Sequence, residues 1–486
     1  MKETVKTQPQ IKLWEAILPI LFLLILLSIN NLKFMFGDEG TSGPNQFALL
    51  LAGALAAVFG FKYGVTYEQM LDKVSKNIES TTGAILILMF VGALTGTWLI
   101  SGIIPTMVYY GLQLINPKIF LVSSVVITAI VSLVIGSSWS TTATVGIALI
   151  GIGRALGFPV EMVAGAVISG AYFGDKMSPL SDTTNLASAV AGVNLYDHVR
   201  YMMYTTFPTI FITILVFAVL GFTHTQGELQ DISLLLKEID STFFIHPALL
   251  LVPGLVIFLI IKKTPPLIAL LAGVLLGAFT ALIFQPQLIK SISPEGNYFM
   301  VAYKTIMKSI VWDINVETSN PLLNDLFTSG GMKGMLGTIW LIISAMFFGG
   351  IMEAIGALKK ISNTLLHAFK GNFGLFASTD LTCITFNATA SDQYLAIVVP
   401  GKMYKQAYED AGLAPENLSR TLEDSGTVTS VLVPWNTGGA YNSKVLGVPT
   451  ESYFIYAIFN WLSPIMTLIF AYFKIKIKTL NNKKTT

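Results

Sequence analysis

Two aspartates, Asp175 and Asp182, lie between apolar segments in the stretch 169–194, with hydroxyl and amide side chains around them. Gly174 and Pro179 in the same stretch favour an interrupted helix. A broken helix at bilayer depth leaves backbone groups unpaired, which is tolerated where they line a cavity. Ionisable groups at that depth are costly unless they handle an ion or a proton. The alternative is a loop outside the membrane whose Asp and Ser residues form turns.

The composition predicts a polytopic integral membrane protein in a lipid bilayer. The chain has 486 residues, of which 53% are hydrophobic and 12% are charged, against roughly 25% charged residues in soluble domains. Its net charge of +2 gives no basis for nucleic-acid binding. Cys383 is the single cysteine, which excludes an intramolecular disulfide and a cysteine-based metal cluster.

Apolar runs recur along the sequence and predict an all-α fold of membrane helices. A span needs about 20 apolar residues, and the run 13–29 fits a first span better than a signal peptide. The shorter runs 119–135 and 140–156 fit either a re-entrant hairpin or two tight spans. We therefore expect re-entrant hairpins and broken helices near the membrane midplane.

The second half of the sequence repeats features of the first half at one fixed spacing. Four residues of the first half return 255 positions later with the same type: Gly157, Glu161, Pro179 and Gly192 return as Gly412, Glu416, Pro434 and Gly447. Lys and Arg accumulate in cytoplasmic loops, and their distribution gives the two halves opposite orientations. The prediction is two inverted repeats of about five transmembrane helices each.

The same distribution predicts how the chain is divided and oriented. In chain order we expect a cytoplasmic N-terminal segment 1–10, a first repeat 11–222, an external acidic linker 223–242, a second repeat 243–473 and a basic cytoplasmic tail 474–486. The second repeat contains a polar insertion at about 285–335 that we expect to be external and that has no counterpart in the first. A cap, a surface helix and a subunit contact are all compatible with it.

Inverted repeats place broken helices face to face, and such breaks form the substrate and ion sites of transporters. The predicted breaks are 137–144, 174–185, 385–392 and 427–441. Each supplies side-chain oxygens. The candidate ion- and proton-binding residues are Asp175, Asp182, Ser178, Ser181, Thr183, Thr184, Asn185, Ser137, Ser138, Thr141, Asn387, Asp392, Asp424, Asn436 and Thr437.

These oxygens are ligands for a hard cation such as Na⁺. Desolvation raises the pKa of a carboxyl group and a bound cation lowers it, so Na⁺ and H⁺ can compete for one group. Asp175 is the first choice for that role, Asp182 the second, and Asp424 with Glu423 the third. Lys176 fits three roles equally: a salt-bridge partner of Asp175, a ligand of a substrate carboxylate, or a residue that extends to the membrane boundary.

Several function classes lack the residues that they need. The four histidines are scattered without metal-ligand spacing, and no nucleophile elbow is present. No phosphate-binding P-loop motif occurs, so ATP does not drive this protein. We expect neither an enzyme nor a cofactor, and the buried titratable groups argue against a passive channel.

The motif Gly174-Asp-Lys-Met-Ser-Pro-Leu-Ser-Asp-Thr-Thr-Asn-Leu-Ala187 resembles the NhaC-type sodium/proton antiporter family of the ion transporter superfamily. The resemblance extends over nearly the whole chain. It implies a multi-pass antiporter of the bacterial inner membrane that exports Na⁺ in exchange for H⁺, forms a homodimer and moves a transport domain against a scaffold.

The same family includes exchangers of small organic acids, in which malate enters as lactate leaves and Na⁺ and H⁺ take part. Lys176, Asn185, Trp139 and Asn436 would suit a small carboxylate as well as they suit sodium. The resemblance therefore leaves both branches open.

Overall fold

A computed structural model describes residues 11–30, 43–114, 116–223, 232–293 and 296–480. The predicted N-terminal segment 1–10, part of the acidic linker and the last six residues of the basic tail lie outside the described residues.

The first half is a succession of helices. These are α1 (Leu13–Asn30), α2 (Pro44–Lys62), α3 (Tyr67–Ile100), α4 (Ile103–Leu114), α5 (Phe120–Ile135), α6 (Ser138–Thr141), α7 (Ile147–Ala155), α8 (Val160–Met177), α9 (Asp182–Ala191) and α10 (Leu195–Thr223). A π-helical segment, Thr142–Gly146, joins α6 to α7. Helices α5 and α8 pack along each other and form the centre of this half.

The second half has more and shorter helices. These are α11 (Ile232–Thr242), α12 (Leu251–Ile261), α13 (Pro266–Phe284), α14 (Pro286–Ile292), α15 (Tyr298–Val311), α16 (Pro321–Leu326), α17 (Leu336–Ala354), α18 (Ala357–Ala368), α19 (Gly371–Thr389), α20 (Gln393–Asp410), α21 (Pro415–Leu422), α22 (Thr437–Leu446), α23 (Thr450–Tyr453) and α24 (Ile458–Tyr472). A second π-helical segment, Glu423–Thr427, follows α21 directly.

Long apolar helices confirm the predicted all-α membrane protein. Within the described ranges, seven helices are long and apolar enough to cross a bilayer, or nine if each of two sharply bent helix pairs counts as one span. The bent pairs are α11 with α12 and α23 with α24, and the second of these bends by 55°. The chain is therefore a multi-pass membrane protein.

Two helices follow the spacing of the sequence repeat. Both ends of α9 lie 255 positions before the corresponding ends of α22. Each helix stops at a glycine in the left-handed region, Gly192 with φ 79° and Gly447 with φ 67°. The inverted orientation of the two halves stays a prediction.

The insertion at about 285–335 packs against the body of the protein. It contains α14, α15, α16 and a two-stranded antiparallel ribbon of β1 (Ile314–Asn315) and β2 (Thr328–Ser329). Helix α15 lies so close to α3 that a side-chain carbon at Gly96 would overlap the backbone carbonyl of Ser309. Close packing of two backbones requires glycine at such a contact.

Candidate ion-binding site

Helices are interrupted in all four regions where the sequence predicted breaks, and each interruption is followed by a helix with a polar cap. Ser137 Oγ accepts from Ser140 N at 3.2 Å, and Ser181 Oγ accepts from Thr184 N at 3.4 Å. Asp392 Oδ1 accepts from Leu395 N at 2.9 Å. Such caps satisfy backbone N–H groups that the first helical turn leaves unpaired.

Asn436 provides the fourth cap, because its Oδ1 accepts from Gly438 N at 2.9 Å. The four caps are all residues that the sequence predicted as ion ligands. Their side chains therefore have a structural role at the helix starts, whatever else they bind.

The two breaks of the first half touch each other. Gly136 ends α5 with φ 75°, and a Cβ there would lie 2.8 Å from the Leu180 carbonyl carbon and 3.0 Å from Ser181 N. Only glycine adopts this conformation readily and leaves room for the second backbone. Thr184 Oγ1 then donates to the Lys176 carbonyl at 3.1 Å across the α8–α9 break.

We expect Gly136→Ala to destabilise the protein by more than the about 1–2 kcal/mol that a left-handed conformation costs an L-residue, because the added methyl group also meets backbone. Gly157→Ala is the matched control, since Gly157 has φ 78° and nothing within 4 Å of its Cβ position. Thermal unfolding of the purified protein in detergent measures both. Equal losses in the two variants would contradict the close contact between the breaks.

The two breaks of the second half are also joined. Thr437 N donates to the Ser391 carbonyl at 3.0 Å, and Asn436 Nδ2 donates to the Asn387 carbonyl at 3.0 Å. Asn387 Nδ2 in turn donates to the Gly426 carbonyl at 2.7 Å. Asn387 thus links α19 to the second π-helical segment.

Side-chain contacts join the breaks of the first half to residues in and beside the breaks of the second half. Trp139 stacks on Tyr441 with a ring-centroid distance of 4.3 Å. Thr183 Oγ1 donates to Glu423 Oε1 at 3.2 Å. The third is the ion pair of Lys176 and Asp424, whose side chains are both fully buried. The four breaks therefore form one polar region inside the protein.

Two buried carboxylates in this region have an oxygen without a hydrogen-bond partner among the described residues. Asp175 Oδ2 accepts from Ser138 Oγ at 2.7 Å, but its Oδ1 has no partner. Glu423 accepts from Thr183 through Oε1, and its Oε2 has no partner. Asp175 and Glu423 directly precede Lys176 and Asp424, the two residues of the buried ion pair, so both carboxylates lie in the same part of the interior. A buried charge of this kind must be neutralised by a proton or by a cation.

Asp424, the other predicted acid of this half, is already satisfied. Its oxygens accept from Lys176, from Ser463 Oγ at 3.0 Å, from Thr205 Oγ1 at 3.0 Å and from Thr467. Lys176 Nζ also donates to Ser463 Oγ at 3.1 Å. Of the three roles that the sequence left open for Lys176, the structure fits an ion pair, with Asp424 in place of Asp175.

The second-ranked acid, Asp182, lies at the rim of the region. Its side chain is exposed, and its Oδ2 accepts from Tyr394 Oη at 2.6 Å. Asn185 is exposed as well and donates to the Pro179 and Ser181 carbonyls at 3.0 and 2.6 Å.

Three predicted hydroxyl groups bond to nearby chain. Ser178 Oγ accepts from Leu180 N at 3.2 Å, Thr141 Oγ1 donates to the Ser137 carbonyl at 2.9 Å, and Thr437 Oγ1 donates to Asn436 at 3.4 Å. They stabilise the local turns and helix starts.

The reasoning from sequence missed two residues of the region. Tyr394 follows the predicted Asp392 by two positions, and its hydroxyl reaches across to Asp182. Thr427 Oγ1 is buried and lacks a partner among the described residues. Thr427 is the first residue of a predicted break, so its position could have identified it as a candidate ligand.

Comparison of the sequence with known proteins shows to which family this chain belongs. The model of the Na⁺/H⁺ antiporter family matches residues 170–475. The Na⁺/H⁺ antiporter NhaC of Alkalihalophilus pseudofirmus is 37% identical over 439 residues, which cover 90% of this chain and 92% of that protein. This chain belongs to the Na⁺/H⁺ antiporter family.

Relatives of this antiporter chain carry other names too. The malate-2H⁺/Na⁺-lactate antiporter of Bacillus subtilis is 37% identical over 423 residues, 86% of either chain. The arginine/ornithine antiporter ArcD of Halobacterium salinarum is 34% identical over 463 residues, which cover 94% of this chain and 91% of that protein. Membership of the Na⁺/H⁺ antiporter family therefore establishes the transporter class and leaves the cargo to be argued.

Proposed function

We propose that this chain is a secondary active antiporter that exchanges Na⁺ for H⁺ across the bacterial inner membrane by alternating access. The observation that carries the proposal is that two buried carboxylates, Asp175 and Glu423, each have one oxygen without a hydrogen-bond partner among the described residues. Relatives named as Na⁺/H⁺ antiporters support the same cargo.

In this proposal Asp175 and Glu423 bind either Na⁺ or protons. Two neighbouring carboxylates repel each other when both are ionised, so protonation of one or insertion of a cation relieves the repulsion. Ser138 and Thr183 hold one oxygen of each carboxylate. The free oxygens are left for the cation, and Thr427 can add a hydroxyl ligand. Because Na⁺ and H⁺ use the same oxygens, release of one is coupled to binding of the other.

The remaining ligands of the cation would be hydroxyl and backbone oxygens. In the described part of the chain, no group of three or more His, Cys, Asp or Glu side chains is placed to hold a metal ion. Alkali cations accept neutral oxygen ligands, and broken helices in transporters supply carbonyl groups for this purpose.

A cavity lies beside the second-half break. A cavity of about 380 Å³ is lined by Trp435 beside the break, by Lys444 and Glu451, and by Gly334 and Gly337 near the insertion. It lies on the side of the insertion, which the sequence predicts to be external. We propose that this cavity is the entrance through which ions reach the site from that side of the membrane.

Orientation and assembly are part of the same proposal. Both termini lie in the cytoplasm, since Lys474 and Lys476 of the C-terminal segment and Lys262 with Lys263 of another loop follow the positive-inside rule. The antiporter works as a homodimer.

The second candidate is a sodium- and proton-coupled exchanger of small organic acids. Two observations favour it. The malate/lactate relative is as similar to this chain as the named Na⁺/H⁺ antiporter. Lys444, which is exposed in the open cavity, offers a cation to a substrate carboxylate.

One transport assay separates the two candidates. Purified protein is reconstituted into liposomes that hold a pH-sensitive dye and an imposed pH gradient, and Na⁺ is then added. Collapse of the gradient by Na⁺ alone supports Na⁺/H⁺ exchange. A requirement for malate, lactate or arginine inside the liposomes would replace that proposal with exchange of the required compound.

The shared site also predicts how pH acts on the exchange. As pH falls, protons occupy the carboxylates more often, so the apparent KM for Na⁺ rises while the maximal rate at saturating Na⁺ stays nearly constant. Initial rates over a grid of pH and Na⁺ concentration measure this. A maximal rate that falls with pH at an unchanged KM would show that protons and Na⁺ use separate sites.

A further inference from the structure

The end of the chain forms a strap across one face of the protein. Residues 474–480, called the C-terminal strap below, follow α24 and pair with the residues before α21. Ala414 N donates to the Lys478 carbonyl at 2.9 Å, and Leu480 N donates to the Gly412 carbonyl at 3.0 Å. Lys478 Nζ makes an ion pair with Glu416 at 2.8 Å. The C-terminal strap is thus held by backbone and side-chain bonds.

A cavity of about 350 Å³ lies between the C-terminal strap and the start of α10. Arg200 of α10 and Lys476 and Lys478 of the strap line it, with Asp197 as the opposing charge. Lys478 is paired with Glu416, but neither Arg200 nor Lys476 forms an ion pair with a described carboxylate. The cavity therefore has an excess of positive charge.

A further cation lies behind the wall of this cavity. Arg420 is fully buried, and none of its three guanidinium nitrogens has a hydrogen-bond partner among the described residues. Its guanidinium carbon is 4.6 Å from the ring centroid of Tyr201, which lines the cavity. Because Arg420 forms no ion pair with a carboxylate in the described part of the chain, its charge raises the potential of the space in front of it.

The surroundings place the cavity at the level of lipid headgroups. It lies at the end of the membrane helix α10, on the face with the C-terminus, and α10 packs against α24. Tyr204 lines the cavity, and further exposed aromatic side chains follow it on α10 and precede the strap at the end of α24: Phe207, Tyr472 and Phe473. Aromatic residues gather at the membrane–water interface, and basic clusters beside membrane helices bind anionic headgroups.

We propose that this cavity binds the phosphate group of an anionic phospholipid, with Arg200 and Lys476 as its ligands and the acyl chains along α10 and α24. Tyr201 couples the site to the strap and to α21, since its hydroxyl bonds to the Lys476 carbonyl at 2.5 Å and to Asn417 Oδ1 at 2.6 Å. The π-helical segment with Glu423 continues from α21, so the lipid stabilises the element that carries an ion-site carboxylate.

Lipid binding tests this inference independently of transport. Full-length protein in neutral detergent is titrated with phosphatidylglycerol, and bound lipid is counted by native mass spectrometry while thermal unfolding is followed. We expect the double variant Arg200→Gln/Lys476→Gln to bind phosphatidylglycerol about 30-fold more weakly, from two lost basic contacts. Lipid-induced stabilisation should be lost in parallel. Phosphatidylcholine, which has no net charge, should bind weakly to the wild type and to the double variant alike.

The matched control is Lys262→Gln/Lys263→Gln, which removes the same charge from another exposed loop on the same predicted face. Lys262 lies 5.5 Å from the ring centroid of Phe258, as Lys476 lies 5.1 Å from that of Tyr204, so the control matches this contact as well. The control should bind lipid as the wild type does. If the double variant does not fold, Lys476→Gln alone, at an exposed position, should still weaken binding.

Two results would overturn the inference. Equal loss of phosphatidylglycerol in both double variants would show a general charge effect without a site. Equal stabilisation by glycerol 3-phosphate, which has the headgroup phosphate without acyl chains, would show a soluble anion site instead of a lipid site.

Discussion

Asp175→Asn is expected to reduce Na⁺-dependent collapse of a pH gradient in proteoliposomes to the background rate. The substitution removes the negative charge and the exchangeable proton together. Losing one member of a buried charge set costs about 2–5 kcal/mol, and each 1.4 kcal/mol is tenfold, so the rate should fall about 30-fold or more. Initial rates at saturating Na⁺ measure the loss.

Asp182→Asn is the matched control in the same motif. Asp182 is exposed and bonds to Tyr394, so its amide can keep that hydrogen bond, and most of the exchange should remain. Glu423→Gln should resemble Asp175→Asn in direction. If Asp175→Asn exchanges Na⁺ for H⁺ at the wild-type rate, Asp175 is not part of the ion site. Equal loss in both aspartate variants would favour the original reasoning from sequence, in which both residues bind the ion.

The second large effect is expected from the buried ion pair of Lys176 and Asp424. Either Lys176→Met or Asp424→Asn leaves one charge in the interior with no opposite charge, which typically lowers the free energy of unfolding by about 3–5 kcal/mol. The double variant leaves no lone charge, so its loss should be smaller than the sum of the two. Thermal unfolding of the wild type, the two single variants and the double variant in detergent gives the interaction free energy between Lys176 and Asp424.

A surface ion pair provides the comparison. Lys76 and Asp72 are 2.7 Å apart on α3, with 61% and 56% of their side chains exposed. Lys76→Met should cost far less than Lys176→Met, because solvent already stabilises both charges of the surface pair. If Lys176→Met is as mild as Lys76→Met, the interior pair does not hold the two halves together.

The positions of the helix breaks were predictable because their signals are local. Gly136 needs a left-handed conformation, Pro179 interrupts a helix, and Ser181, Asp392 and Asn436 are residue types that cap helix starts. Each of these signals acts within a few residues along the chain. For the same reason, the all-α membrane fold followed from apolar runs alone.

The partners inside the site could not be predicted in this way. A spacing of seven would put Asp175 and Asp182 on one face of a continuous helix, but the break at 178–181 buries the first and exposes the second. Glu423 and Asp424 are neighbours, and only their packing decides that Asp424 meets Lys176 while Glu423 meets Thr183. The sequence analysis ranked Glu423 and Asp424 together, because a sequence gives the residue types but not the direction in which each side chain points from its helix.

The widened helical turn at Glu423–Thr427 has a consequence for the two faces of the membrane. The residues 255 positions earlier, 168–172, lie in the regular helix α8. The two halves therefore contribute unlike elements to the proposed cation site. An exchanger with interchangeable halves would present mirror-related sites to its two compartments, whereas this one would not. We expect its sodium affinity to differ between the cytoplasm and the exterior, so that equal and opposite gradients at low sodium concentration should drive exchange at different rates in the two directions.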